Sequence, residues 1–277
     1  MTLEKHIKNL GQKKGKLLFF GGVYSNLQSL QALKEWADEN NYLPENIFCT
    51  GDIPGYCAQP VECLHLIKEW QINAIAGNVE LQVRNDEEDC GCDFESGGRC
   101  DLFSKNWYAY VRSKMNTEHR AWLNMLPDHI QFEYCGKNIF IVHGSYFNVS
   151  EFIFQSTPWA FKQKNFEAVN ADIIIAGHCG LPFANAKNEK LWLNPGAIGM
   201  PANDGTDRVW CATLEGAGEK TRYQFHSYTY DHKSAAELML ENGLPATYAN
   251  TLSTGIWDNC EILPETETHL RGIKILL

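Results

Sequence analysis

The chain of 277 residues has no run of about eighteen apolar residues, so no segment is suited to cross a bilayer as a helix. Its first stretch, Met1 to Lys16, is polar and basic and lacks the apolar centre of a secretion signal, which makes a cytoplasmic location the expectation. A positive surplus is missing too. The net charge of −10 argues against a broad nucleic-acid-binding surface. It does not exclude a phosphate ligand, because a bound metal can reverse the local field. No internal repeat is found, which excludes solenoids and propellers. Cysteine is plentiful, at ten residues. Cys63, Cys135 and Cys211 stand singly on apolar segments, as small buried hydrophobes do. The exception is Cys90-Gly91-Cys92 with Cys100, a C-x-C spacing rather than the C-x₂-C usual for zinc. The length supports one large α/β domain or two small ones.

What is present is a repeated pattern of short apolar runs that end in Gly and a polar residue. Ile47-Phe48-Cys49-Thr50 leads to Gly51-Asp52, and Ala74-Ile75-Ala76 to Gly77-Asn78. Ile139-Phe140-Ile141-Val142 leads to His143-Gly144, and Ile173-Ile174-Ile175-Ala176 to Gly177-His178. Such runs read as buried parallel strands, and α/β proteins place their chemistry where strands end. A single Asp after a strand is usually a turn former, and a single His is usually a satisfied core or surface residue. An Asp, an Asn and two His in one repeated context instead make a divalent-metal set.

Around these runs the pattern predicts a first strand at Lys16–Phe20, then a Gly21-Gly22 turn into a helix over Leu27–Asn40, with Ser25 or Asn26 as its cap. That turn is an ordinary strand-to-helix connection or, through the free N–H groups of a helix start, an anion site. Helices are expected over Pro60–Trp70, Asp101–Ala109 and Thr117–Met125, with a polar, acidic excursion over Asn85–Asp93 before the second of them. A hairpin is expected over Ile130–Tyr134 and Asn138–Val142, and helical or irregular chain over Phe152–Asn170. Four segments, Phe183–Ala186, Leu191–Leu193, Val209–Leu214 and Arg222–His226, read as one antiparallel series with a tight turn at Asn194-Pro195-Gly196. Helices at His232–Glu241 and Pro245–Leu252 close the pattern. The implied organisation is a polar N-terminal extension over 1–15, one domain over 16–257 with a Cys-rich excursion near 85–100, and a tail over 258–277.

The blocks Gly51-Asp52-Ile53-Pro54-Gly55-Tyr56, Gly77-Asn78, His143-Gly144, Gly177-His178-Cys179-Gly180 and Asn194-Pro195-Gly196 resemble those of the calcineurin-like metallophosphoesterases. With Leu181-Pro182-Phe183, Tyr230-Asp231, Gly243-Leu244-Pro245 and Thr254-Gly255-Ile256-Trp257, the chain is most similar to the bacterial diadenosine-tetraphosphatase-like branch, over about Lys16 to Trp257. The resemblance implies an α/β four-layer sandwich of two stacked mixed β-sheets flanked by helices. It implies hydrolysis of a phosphate ester or anhydride by direct attack of metal-activated water, on a phosphorylated small molecule or nucleotide.

The departures are ordered. The family's opening D-x-H is here Gly22 and Tyr24, with Ser25-Asn26-Leu27 where G-N-L is expected; the last His of G-H-x-H is Gly180, and the His that often follows G-N is Val79. Every ligand private to the family's first metal is replaced. The second metal's set is kept: Asp52, Asn78, His143 and His178. The resemblance therefore implies a single divalent ion (Mn, Fe or Zn), with Asp52, Asn78 and His143 as the catalytic groups and Tyr24 and Asn26 as substrate-binding candidates. Losing one electrostatic stabiliser of a transition state costs about a hundred- to a thousandfold in rate. The rival is a non-catalytic metal- or phosphate-binding module that acts as a sensor. Cys90, Cys92, Cys100 and Cys179 are candidate additional thiolate ligands, which would favour zinc or iron. The expectation is that Tyr24 or water fills the vacated side of Asp52 while the excursion stays on the surface; the alternative is that the excursion folds over the site.

Overall fold

Leu17-Leu18-Phe19-Phe20 is fully buried along its whole length, yet its side chains enter two different cores. Leu17 and Phe19 point into one, Leu18 and Phe20 into another, as the two-residue period of a strand requires. The same split occurs at Ile173 and Ile175 against Ile174, and at Ile139 and Ile141 against Phe140. Strands with two apolar faces must be covered on both sides. The computed structural model, which describes residues 5–92, 94–218 and 220–277, shows how. The first four residues of the polar N-terminal segment and Asp93 of the excursion lie outside the described residues.

Two mixed sheets stack face to face. One has five strands in the order β11 (Lys220–Tyr228), β10 (Val209–Ala217), β2 (Leu17–Phe20), β3 (Ile47–Cys49), β4 (Asn73–Ala74). The other has six, in the order β1 (Ile7–Lys13), β5 (His129–Tyr134), β6 (Lys137–Ile141), β7 (Ile173–Ile175), β9 (Lys190–Pro195), β8 (Pro182–Lys187). Between them lies an apolar layer in which Phe48 stacks on Phe19 at 5.2 Å and on Phe132 at 5.0 Å. Helices cover the outer faces: α1 (Leu27–Glu39), α2 (Pro60–Trp70), α4 (Arg99–Lys114), α7 (His232–Glu241) and α8 (Ala246–Thr254) contribute to one outer core, and α6 (Trp159–Val169) to the other. The sandwich of two mixed sheets flanked by helices is thus the observed fold.

Parallel pairing of β2, β3 and β4, and of β6 and β7, brings the chain segments after β3, β4, β6 and β7 to one edge of the sandwich. The helices predicted at Pro60–Trp70 and Thr117–Met125 (α5) have those bounds.

Three expectations are corrected. The antiparallel series is two separate hairpins. β8–β9 joins β7 in one sheet, whereas β10–β11 joins β2 in the other. Asn194 and Pro195 close β9 rather than forming a turn, and Gly196, at φ +83°, carries the chain across to Ala197, which bridges Gly21 on the opposite sheet. The polar N-terminal segment is not a free extension, because β1 pairs in parallel with β5 at the sheet edge. Its side chains are mostly exposed, so no apolar alternation marked it; backbone pairing holds it, with Leu10 packed against the core between the sheets. Finally, the tail over 258–277 carries a short helix, α9 (Glu265–His269), whose buried Glu267 accepts from the Ser156 N–H at 2.9 Å and the Ser156 hydroxyl at 2.6 Å.

Candidate metal centre

The loop after β3 turns sharply, with Gly51 at φ +100° and Asp52 at φ +57°. A Cβ on Gly51 would stand 2.6 Å from the Gly77 nitrogen and 2.8 Å from Nδ1 of His143, so only glycine lets these segments approach. His143, after β6, hydrogen-bonds the Thr50 carbonyl through Nδ1 at 2.6 Å. A carbonyl can only accept, so Nδ1 carries the proton and Nε2 turns inward. Asn78, the first residue of α3 (Asn78–Arg84), donates its Nδ2 to the Cys90 carbonyl at 2.9 Å, which points Oδ1 inward as well.

Four atoms then converge. His143 Nε2 lies 3.0 Å from Asn78 Oδ1, 3.1 Å from His178 Nδ1 and 3.2 Å from Asp52 Oδ2. Asp52, His143 and His178 are buried, with ligand atoms within 4.8 Å of one another. The two oxygens have no hydrogen to give. Their convergence on an inward-facing nitrogen is repulsive unless a positive charge sits among them. Burial opposes ionisation of Asp52, but His143 beside it outweighs that and holds the carboxyl below its ordinary value. Burial likewise pushes the His143 imidazole down, and Asp52 brings it back above its ordinary value. His178 is pushed down to about 3, by burial first and then by His143. Asp52 Oδ1 and His178 Nε2 are buried without a hydrogen-bond partner. Mixed oxygen and imidazole donors, one carboxylate among them and one oxygen orphaned, fit a divalent ion.

Glu80, two residues past Asn78 on α3, is a residue that sequence reasoning left without a role. Its carboxylate is fully buried and accepts from the backbone N–H groups of Ile53 at 2.6 Å, Gly77 at 2.8 Å and Asp52 at 3.0 Å. It ties the loop that bears Asp52 to the turn that bears Asn78. The signal was available as the third residue of a helix start, where a carboxylate can reach back to free N–H groups. Burial, then Asp52, raises its pKa to about 7. Asn194 braces the His178 loop in a similar way, donating to the Gly177 carbonyl at 2.7 Å.

On the other side of Asp52, Tyr24 sits at φ +52° and is only 8% exposed. A Cβ on Gly22 would come within 2.5 Å of the Tyr24 ring, and one on Gly180 would lie 3.8 Å from its hydroxyl. Tyr24 thus fills the space between Gly22 and Gly180. Burial and then Asp52 keep its phenol protonated. Asn26 does not reach the cavity. It is fully buried and caps α1, accepting from Ser29 N–H at 3.2 Å, while its amide donates to the Gly199 carbonyl and the Tyr230 hydroxyl. Its role as a substrate contact is therefore corrected to a structural one.

Part of the excursion folds over the site, through Cys92, Phe94 and Cys100, while residues 85–89 and 95–97 stay on the surface as expected. Cys90 and Cys92 are buried; the Cys92 sulfur accepts from Asn78 Nδ2 at 3.1 Å, and the Ser150 hydroxyl donates to the Gly91 carbonyl. Cys92, Cys100 and Cys179 line a cavity of about 80 Å³ with Asp52 and His178. Among the described residues no cysteine joins the ligand cluster of Asp52, His143 and His178. Burial pushes Cys100 up to about 11 and Cys179 up to about 12, which holds both as thiols. Val79 is buried and lines the same cavity.

This fold and this convergence define a metallophosphoesterase-type protein. The model of the calcineurin-like phosphoesterase superfamily domain matches residues 23–217, and the chain belongs to that superfamily. It is 25% identical over 262 residues to the uncharacterised protein MJ0912 of Methanocaldococcus jannaschii, covering 87% of this chain and 99% of that one. A metallophosphoesterase from Sphaerobacter thermophilus superposes with a TM-score of 0.68 at 22% identity, over 88% of this chain and 100% of the other. The hypothetical protein PH1004 of Pyrococcus horikoshii superposes with a TM-score of 0.73 at 20% identity, over 87% and 99%. Among the described residues no helix is long and apolar enough to cross a membrane.

Proposed function

We propose that the protein is a metal-dependent phosphoesterase that hydrolyses a phosphate ester or anhydride with one divalent ion, held by Asp52, Asn78, His143 and His178. The observation that supports this is the convergence of Asp52 Oδ2, Asn78 Oδ1 and His178 Nδ1 on His143 Nε2. When bound, the ion would supply a Lewis acid that acidifies water and neutralises charge on a phosphate oxygen. The protein's own groups do the rest. Thr50 fixes the His143 tautomer through its carbonyl, Glu80 fixes the spacing of the Asp52 and Asn78 segments, and the cap of Cys92, Phe94 and Cys100 restricts water. Tyr24 would donate a hydrogen bond to phosphate from the side where the family's first metal stands. The ten cysteines, all unpaired, suit a cytoplasmic location.

Tyr24 packed into that space also favours a second reading, a binding module without turnover. One experiment separates the two. Protein stripped of metal and reloaded with Mn²⁺, Fe²⁺ or Zn²⁺ should bind one ion per chain and hydrolyse an aryl phosphate monoester or diester, with the heavy-oxygen label of solvent entering the phosphoryl product in a single turnover. Asp52→Ala should abolish both. Metal binding without hydrolysis supports the module; a trapped phospho-enzyme, or activity that survives Asp52→Ala, refutes the mechanism.

A further inference from the structure

This inference rests on the proposed activity and concerns the class of ester. Six aromatic rings wall the cavity beside Asp52 and His178: Tyr24, Tyr56, Phe94, Phe152, Tyr248 and Trp257. Among the described residues no Lys or Arg lines it. Arg99, next to the lining residue Cys100, is engaged by Asp258 of the wall, with Nε 2.6 Å from Oδ2 and Nη2 2.7 Å from Oδ1. That pair also cancels the charge of Asp258, the second carboxylate of the wall.

A divalent cation and the Asp52 carboxylate sum to a single positive charge, the Glu80 carboxylate behind Asp52 being met by three backbone N–H groups. A dianionic monoester would overfill that balance, and a polyphosphate chain would do so further, inside a wall with no cation to meet the surplus. An unpaired charge in such surroundings is strongly disfavoured. A monoanionic diester balances the site, and an attached flat group meets rings suited to stack on it. We infer that the site selects a phosphodiester bearing at least one aromatic group, an aryl or nucleobase-containing ester, over phosphate monoesters and polyphosphates.

Binding can be read without turnover by using phosphorus–carbon analogues. Methyl(phenyl)phosphinate is a monoanion, and phenylphosphonate above neutral pH is a dianion of nearly the same shape. Calorimetry on the manganese-loaded protein should show the phosphinate bound about tenfold or more tightly, since one uncompensated charge is worth at least that factor. Ile262→Lys, which places a cation in the wall, should narrow or reverse the ratio. Phe94→Ala should weaken the phosphinate by about threefold to tenfold through lost stacking. Equal or tighter binding of phenylphosphonate to the unaltered protein overturns the inference, as does absence of binding by either analogue at millimolar concentration. If the ratio holds but no ester is hydrolysed, the proposed catalysis fails and the charge selection stands. If monoesters are hydrolysed faster than diesters, the selection fails and the catalysis stands.

Discussion

Glu80 offers the sharpest test of how the metal centre is held together. Its two carboxylate oxygens receive three backbone N–H groups, Oε2 taking those of Asp52 and Gly77 and Oε1 that of Ile53. All lie in the interior, where an abandoned donor costs about 1–3 kcal/mol. Glu80→Ala strands three donors and removes packed volume, so a loss of about 3–6 kcal/mol is expected. Glu80→Gln keeps the shape and one accepting oxygen. That oxygen can serve Asp52 and Gly77, leaving the amide nitrogen against the Ile53 N–H, a loss of about 1–3 kcal/mol. Denaturant unfolding of the metal-free proteins should therefore rank native above Gln above Ala. Because Glu80 sets the spacing between Asp52 and Asn78, Glu80→Gln should also weaken divalent-metal affinity by about ten- to a hundredfold, measured by competition with a chelating dye. The raised pKa adds a sign. A carboxyl near 7 in the folded state and 4.5 ordinarily binds more protons when folded, so metal-free native protein should lose stability as pH rises from 4.5 to 7. Glu80→Gln should lose that part of the slope. Equal stability of the Ala and Gln proteins, or metal affinity indifferent to either change, would refute the bracing role.

Three further outcomes are expected. His129 is buried against Phe140 and Tyr146, and burial pushes its pKa down to about 4 from 6.5. The unfolded chain then binds the proton more readily, so stability should fall by about 2 kcal/mol as pH drops from 6.5 to 5; His129→Phe should lose this contribution in thermal melts across that range, and an unchanged slope would contradict the assignment. Gly22→Ala should destabilise by about 2 kcal/mol or more, since its Cβ would overlap the Tyr24 ring at a left-handed φ. Tyr24→Ala should recover at least about 1 kcal/mol of that in a double-mutant cycle, and strict additivity would show that the two do not compete for one space. Restoring ligands as Gly22→Asp, Tyr24→His and Gly180→His together should yield a second bound metal, whereas Gly22→Asp alone should not, because Tyr24 occupies the place its carboxylate needs.

The linear chain by itself determined most strands and most helices. Short apolar runs such as Leu17–Phe20 and Ile173–Ile175, bounded by Gly or polar residues, read as buried strands, and Pro60 and Pro127 mark a helix start and the end of another helical stretch. Asp52, Asn78, His143 and His178 were legible because each follows such a run, and strand ends in parallel pairing share an edge. Other features were decided only in three dimensions. β1 has no apolar face to announce it and exists through its pairing with β5. Whether two hairpins belong to one sheet or two depends on which neighbour each finds, and that choice leaves no local periodicity. Asn26 looks identical in sequence whether it caps a helix or touches a ligand; the Ser29 N–H, the Gly199 carbonyl and the Tyr230 hydroxyl settle it. The partners of Glu80 and the seating of the cysteine-rich excursion over the cavity join residues far apart in the chain. Hydrogen bonds and close contacts between distant segments carry no repeat along the sequence, so only the folded chain shows which polar group meets which.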